Sequence, residues 1–435
     1  MRSPPDLHAL IETRPQQIAP LDAARYESRF ASRATSIVSS AMRDLMALAA
    51  RPEIISLAGG FPDTESFPRE IFNEVMAAVT SEHVASALQY GPTEGLPELR
   101  ERVLEIMAHE GLIALYDDVM ITSGGQQAID LSIRTFVNPG DLVIAEGPTY
   151  PGAVPSLTTY EADVVHVDMD EDGLRIDLLE ETLDRLDAEG RRPKLLYTIP
   201  NFHNPAGVTM SRERRERLVE VAHRRELIVV EDNPYGQIRF EGEPLPTLYQ
   251  LDDGAGWVIY CSTFSKILAP GTRLGWVVAP QPVLRKMNLG KQGADLCAST
   301  LSQRFVIEYM RRYDWRVHVG RLNGIYRSRR DAMLSALDDY FPGEATWTRP
   351  AGGLFVWATL PDFVDTRDLL ARATSQREVA FVPGEAAFRD GRGKHSMRLN
   401  FSYVDEDTIR EGVRRLGETI VDMMEDYRAL NPGSP

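Results

Sequence analysis

Lys266 is one of five lysines in a chain that carries forty-three arginines. It lies in Ser262-Thr263-Phe264-Ser265-Lys266-Ile267-Leu268-Ala269-Pro270-Gly271-Thr272-Arg273, directly after the apolar run Val258-Ile259-Tyr260-Cys261. An amine set among hydroxyls at the end of a buried strand, with an arginine seven positions on, can form a Schiff base beside a bound phosphate. Most lysines are solvated surface residues, but the flanking pattern favours the chemical reading here. Two further buried-type runs end in polar residues: Leu195 to Ile199 before Asn201 and Asn204, and Leu227 to Val230 before Asp232. In a parallel sheet all carboxyl ends share one edge, where α/β proteins bind ligands. One site could therefore collect Asn201, Asn204, Asp232 and Lys266.

Ile121-Thr122-Ser123-Gly124-Gly125-Gln126-Gln127 passes from a strand into a helix whose apolar residues keep one face. Free N–H groups at Gly125 and Gln126 would point toward an anion, although such a Gly-Gly junction is often only a tight turn. Neither a dinucleotide fingerprint nor a GxxxxGK[ST] loop is present, so a nucleotide is not the favoured anion. Arg273 has the planar fork that binds oxyanions, with Thr263 and Ser265 as added donors. Tyr150 offers an aromatic face, as a core tyrosine would. Arg398 falls in the apolar strand pattern Met397-Arg398-Leu399-Asn400-Phe401, where an unpaired guanidinium is costly to bury. Its partner is a ligand carboxylate or an internal salt bridge.

The elements that must position these groups read as follows. Residues 1–25 form a loose arm, and Phe30 to Ala50 shows helical spacing that ends at Arg51-Pro52. From about 69 to 310 short β-branched runs alternate with helical patterns, which implies parallel βαβ units. From about 315 onward a long polar helix precedes strand patterns at Leu354 to Trp357, Val379 to Val382 and Met397 to Tyr403. The expected architecture is α/β: a large domain over 69–314, its mostly parallel sheet covered by helices on both faces, and a smaller α+β domain built from 26–68 and 315–435.

These segments, together with Ile55-Ser56-Leu57-Ala58-Gly59-Gly60-Phe61-Pro62, Leu88-Gln89-Tyr90-Gly91-Pro92-Thr93-Glu94-Gly95 and Lys291-Gln292-Gly293-Ala294-Asp295-Leu296, resemble the fold type I pyridoxal-phosphate (PLP) aminotransferases of class I/II. The resemblance covers nearly all of the chain after about residue 26 and is greatest to the 2-aminoadipate and kynurenine/aminoadipate branch. It implies that Lys266 carries pyridoxal 5'-phosphate, that Asp232 pairs with the pyridine nitrogen, and that Asn204 and Tyr235 hydrogen-bond the phenolic oxygen. It further implies that Tyr150 stacks on the ring and that Gly125, Gln126, Thr263, Ser265 and Arg273 hold the phosphate. Arg398, Gly60 and Asn204 would meet the substrate carboxylate, and Ser40 and Arg43 its side chain. Tyr90 would reach the phosphate of a neighbouring subunit, so a homodimer with shared sites is implied. Gly125 and Thr263 stand where relatives often have serine. No metal ligands are implied.

Composition narrows the rivals. With 48 basic and 64 acidic residues the net charge is −16, which disfavours a nucleic-acid or anionic membrane partner. The basic cluster from Arg311-Arg312 to Arg330 reads as the exposed face of one long helix. Two cysteines make no disulfide framework, and no run reaches the roughly 18 apolar residues of a membrane span, so a cytoplasmic location is the default. The function expected is ping-pong transfer of an amino group from glutamate, 2-aminoadipate or an aromatic or long-chain amino acid to 2-oxoglutarate. A PLP-dependent lyase or decarboxylase and a non-catalytic regulatory domain are the alternatives.

Overall fold

The computed structural model describes residues 24–36 and 51–431. Its strands are β1 (Ile55–Ser56), β2 (Val119–Thr122), β3 (Leu142–Gly147), β4 (Asp163–Asp170), β5 (Gly173–Leu174), β6 (Pro193–Thr198), β7 (Ile228–Asp232), β8 (Val258–Thr263), β9 (Gly275–Val278), β10 (Thr346–Trp347), β11 (Phe355–Thr359), β12 (Val379–Ala380), β13 (Val382–Pro383) and β14 (Ser396–Asn400).

Eight of these form one sheet in the order β2-β9-β8-β7-β6-β3-β4-β5. The five strands from β4 to β8 through β3, β6 and β7 run parallel, whereas β9 is antiparallel to both β8 and β2. The central strands are near-continuous apolar runs because both faces are covered. Successive residues go to opposite sides: Val143, Leu195, Val230 and Ile259 pack with Ile129 and Ile133 of the helix Gly125–Phe136. Ile144, Leu196, Val229 and Val258 pack with Leu179 and Leu183 of the helix Ile176–Ala188 and Leu218 of the helix Arg212–Arg225. Each such buried leucine contributes about 1.5–3 kcal/mol by leaving water.

A second, antiparallel sheet has the order β10-β11-β14-β13, and β1 pairs in parallel with β12. The Asn400 N–H donates to the Leu57 carbonyl at 2.8 Å, and that of Leu57 to Ala380 at 2.8 Å. Residues 54–58 are thus sewn to the C-terminal segments, which carries Gly59 and Gly60 to the edge of the large sheet. The helix Glu406–Leu430, capped by the Asp405 carboxylate on the Thr408 N–H at 2.8 Å, packs along the helix Trp315–Tyr340.

Several expectations need correction. The alternation of strand and helix begins only at 119: the stretch before it holds three successive helices, Arg69–Glu82, Val84–Leu88 and Pro97–His109. The basic cluster is divided between two helices, Thr300–Arg312 and Trp315–Tyr340, because Asp314 caps the second by accepting from the Arg316 N–H. Arg311 and Arg312 pair with Glu82 and Glu308. Arg330 is buried against Glu241, Asp331 and the Pro350 carbonyl rather than exposed. Of the proposed helix from Phe30 to Ala50, residues 37–50 lie outside the described residues, and two short helices, Ala24–Glu27 and Ser32–Ser36, precede them.

Candidate active site

The carboxyl ends of the parallel strands converge on a cavity of about 370 Å³. Asp232 ends β7, Lys266 follows β8 by three residues, Asn204 lies in the turn after β6, and Tyr150 follows β3. The smaller sheet supplies Arg398 from the middle of β14 and Phe355 from the start of β11. Lys266, Asp232, Asn204, Tyr235, Tyr150, Gly125, Gln126, Thr263, Ser265, Arg273, Gly60 and Arg398 all line this one cavity.

The Lys266 ammonium donates to the Gly60 carbonyl at 2.8 Å. Its pKa is pushed down to about 7, first by burial and then by the guanidiniums of Arg398 and Arg273. Asp232 is buried and accepts from the Tyr197 hydroxyl at 2.7 Å. Burial raises its pKa to about 7 against the pull of that hydroxyl, and the nearby Glu146 adds to the rise. A carboxylate in this position is stabilised by any cation that binds beside it. Arg398 donates to Asn204 Oδ1 at 3.0 Å and to the Ala58 carbonyl at 2.7 Å, and its guanidinium lies 4.4 Å from the Phe355 ring centre. Burial lowers its pKa to about 10, still well above neutrality. Asn204 Nδ2 reaches the Tyr235 hydroxyl at 3.4 Å. Burial raises the pKa of Tyr235 and of Tyr150, so both phenols keep their protons.

At the other end Gly124, with φ 85°, turns the chain from β2 into the helix Gly125–Phe136, whose first N–H groups have no partner within it. A Cβ on Gly124 would lie 2.8 Å from Arg273 Nη2, so glycine admits that guanidinium to the turn. The Gln126 side chain is tied to the Gly152 carbonyl at 2.7 Å, which leaves its backbone N–H as the group that can serve an anion. The Thr263 hydroxyl is held within its own turn, donating to the Leu274 carbonyl at 2.9 Å and accepting the Ser265 N–H at 3.1 Å.

Of the other residues expected at the site, two, Ser40 and Arg43, lie outside the described residues and one lies away from this cavity. Tyr90 is 79% exposed and does not line the cavity of its own chain. Asn201, grouped with the other strand-end residues by its position, is a correction. It donates to Asn233 Oδ1 at 2.9 Å and accepts from Arg215 at 2.7 Å, behind the site. Sequence reasoning missed Tyr197 and Phe355. Each looks like an ordinary core aromatic in a strand, and for Tyr197 only its place one strand over from Asp232 could have marked it.

The sheet order and the cavity define an α/β enzyme of fold type I with a cationic ligand site. Among the described residues lining it, Asp232 is the one carboxylate beside two arginines and a lysine. The aminotransferase class I and II family model matches residues 52–416. The chain is 46% identical to aromatic-amino-acid aminotransferase 1 of Thermococcus litoralis over 92% of its length and 95% of that protein. It is similar to the kynurenine aminotransferase of Pyrococcus horikoshii, solved with PMP, at 43% identity and a TM-score of 0.88, covering 93% and 98% of the two chains. It is also similar to the α-aminoadipate aminotransferase of Thermus thermophilus, solved with N-(5'-phosphopyridoxyl)-L-leucine, at 38% identity and a TM-score of 0.85, covering 92% and 99%. The chain belongs to the class I and II aminotransferases. It is a PLP-dependent transaminase, and the cavity fits that cofactor: a helix N-terminus beside an arginine, an amine that is about half deprotonated near neutrality, and a buried carboxylate that a cation would relieve.

Proposed function

We propose that the enzyme moves the amino group of an L-amino acid, 2-aminoadipate, glutamate or an aromatic or long-chain one, to 2-oxoglutarate by a ping-pong route. PLP, when bound, supplies the electron sink that accepts the charge left when the amino acid loses its α-proton. On this reading Lys266 Nζ holds the cofactor and then moves the proton to and from the substrate α-carbon. A positioned amine of this kind contributes typically about 10²–10⁴-fold. Asp232 keeps the ring nitrogen protonated, Asn204 and Tyr235 hold the phenolic oxygen, and Tyr150 covers the ring. The N–H groups of Gly125 and Gln126, with Ser265 and Arg273, receive the phosphate, and Thr263 orients Ser265 by accepting its N–H. Arg398, with Asn204 and Gly60, receives the α-carboxylate, and Arg43 and Ser40 the distal end of the side chain. Tyr90, exposed on its own chain, serves the phosphate of a second copy in a homodimer. Residues 26–68 with 315–435 act as one smaller unit against 69–314, a division supported by the pairing of β1 with β12.

The observation that carries this reading is the pair of arginines that flank Lys266, both of which depress its pKa. A ligand with one anionic group for each satisfies both, and an amino acid bound over a phosphorylated cofactor is such a ligand. The experiment is the visible absorption spectrum of the PLP-loaded enzyme during addition of L-2-aminoadipate and then 2-oxoglutarate. Conversion to the amino form of the cofactor, reversed by the oxo acid, is the expected result. An unchanged spectrum rejects this donor, and product formed beyond one equivalent per active site without an oxo acid rejects transamination.

A further inference from the structure

The segment Lys291 to Asp295 has no place in the cavity, yet it is the most heavily hydrogen-bonded neighbour of the Gly124–Gly125 turn. We propose that Lys291 and Asp295 are positioning residues for the phosphate end of the cofactor site, bracing the turn Ser123 to Gln127 from the side away from the cavity. This rests on assigning the Gly125 end of the cavity to the phosphate.

Lys291 lies on the helix Gln281–Ala294 with its side chain wholly buried. Its ammonium donates to both oxygens of Asp295, at 2.7 and 2.9 Å, and to Gln127 Oε1 at 3.0 Å. Gln127 Oε1 also accepts the Ser123 N–H at 2.8 Å, and Gln127 Nε2 donates to Asp295 Oδ2 at 2.9 Å. The Ser123 hydroxyl closes the ring by donating to Asp295 Oδ2 at 2.6 Å. Burial alone would raise the Asp295 carboxyl, but the hydrogen bonds from Lys291, Ser123 and Gln127 hold it below its ordinary value. Every contact that the Lys291–Asp295 pair makes with the turn falls on Ser123 or Gln127, the two residues that flank Gly124, Gly125 and Gln126.

A buried ammonium is costly unless paired, and an apolar side chain of the same length would fill the space without that cost. What the ion pair adds is direction. Gly124 and Gly125 have no side chains to fix their peptide planes, and glycine loses the most conformational freedom on ordering. Clamping Ser123 and Gln127 to one rigid helix fixes both ends of the segment between them, so its N–H groups stay aimed at a common point. Arg273, whose Nη2 lies 3.5 Å from the Ser123 carbonyl, is registered to the same turn. None of Lys291, Asp295, Ser123 and Gln127 lines the cavity, so they act through the turn and touch no reacting atom.

The test compares cofactor-free protein binding three probes: PLP, pyridoxal, which lacks the phosphate, and inorganic phosphate as a competitor. Lys291→Met should weaken PLP and inorganic phosphate about tenfold, the loss of one hydrogen-bonded charged contact, and leave pyridoxal unchanged. Ser123→Ala, which removes a single half-buried hydroxyl, should act in the same direction with a smaller effect, and it decides the matter should Lys291→Met not fold. Equal weakening of PLP and pyridoxal, or no weakening of PLP, overturns the proposal. Arg273→Met tests the underlying assignment separately: if it causes no phosphate-selective loss, the phosphate does not lie at this end, whatever Lys291 does.

Discussion

Lys266 differs from an ordinary lysine in one measurable way, its proton affinity. Burial and the two neighbouring guanidiniums bring its pKa from 10.5 to about 7, so near neutrality about half of it is the free nucleophile. In the cofactor-free protein, the rate at which a small amine-reactive reagent modifies Lys266, followed by mass spectrometry, should rise through pH about 7 and level off above it. Arg398→Met should shift that inflection upward, since a positive charge is removed. A rate still climbing toward pH 10 in the unaltered protein would mean that the site is wet and the amine unperturbed. Residues of this kind were legible in the sequence because each broke a local pattern, a lysine or an aspartate within a few residues of the end of an apolar run. Tyr197 broke none. Nor did Arg215, one residue in the highly charged stretch Arg212 to Arg217. Wholly buried, it donates to the carbonyls of Met210, Pro246 and Pro200 and to Asn201, so it staples the loop that presents Asn204. Only the fold decides which arginine of a polar helix faces inward.

At the scale of elements, the phosphate end depends on how closely β9 approaches the turn after β2. A Cβ on Gly275 would lie 2.7 Å from the Gly125 nitrogen, 2.7 Å from the Ser262 carbonyl oxygen and 2.8 Å from the Gly124 carbonyl carbon, all backbone atoms that cannot swing aside. Gly275→Ala must therefore push β9 and the turn apart. Overpacking of this kind costs about 1–3 kcal/mol, and here it should appear both as a lower Tm and as weaker PLP binding. Gly271→Ala, where an added Cβ meets nothing within 4 Å, is the control and should change neither. Normal PLP affinity in Gly275→Ala would show that the close approach is not what shapes the turn. The parallel strands were readable from their apolar runs, since burial on both faces leaves that mark on the sequence. The helices between Arg69 and His109 were not separable from a strand-helix alternation, because short apolar runs look alike in either state until their neighbours are known. The break at Asp314 was missed for a related reason: a capping aspartate inside a long charged stretch is visible only once the helix after it has an end to cap.

For the molecule as a whole, three buried carboxyls, Asp232, Glu231 and Glu110, share a pKa raised by burial to about 7. A carboxyl whose folded pKa stands above its unfolded one binds its proton more tightly when folded. Its stabilising contribution is therefore complete below about pH 4 and is lost as pH rises to about 7. His166 and His318, held below their ordinary value first by burial, act in the opposite sense below about pH 6.5. Ionising Asp232 within the cofactor-free fold costs on the order of 4 kcal/mol. On the proposed pairing, a protonated ring nitrogen beside Asp232 removes that cost, whereas Glu231 and Glu110, which do not line the cavity, keep theirs. The rise in Tm on adding PLP should consequently grow as pH increases from about 5 to about 7.5, because the cofactor-free form weakens over that window while the loaded form is spared one of the three penalties. Asp232→Asn removes the titrating group, so its PLP-induced shift should be smaller and should lose most of this pH dependence. If the mutant kept the full dependence, the cofactor's stabilising effect would have to arise elsewhere in the cavity, and the pairing of Asp232 with the ring would be wrong.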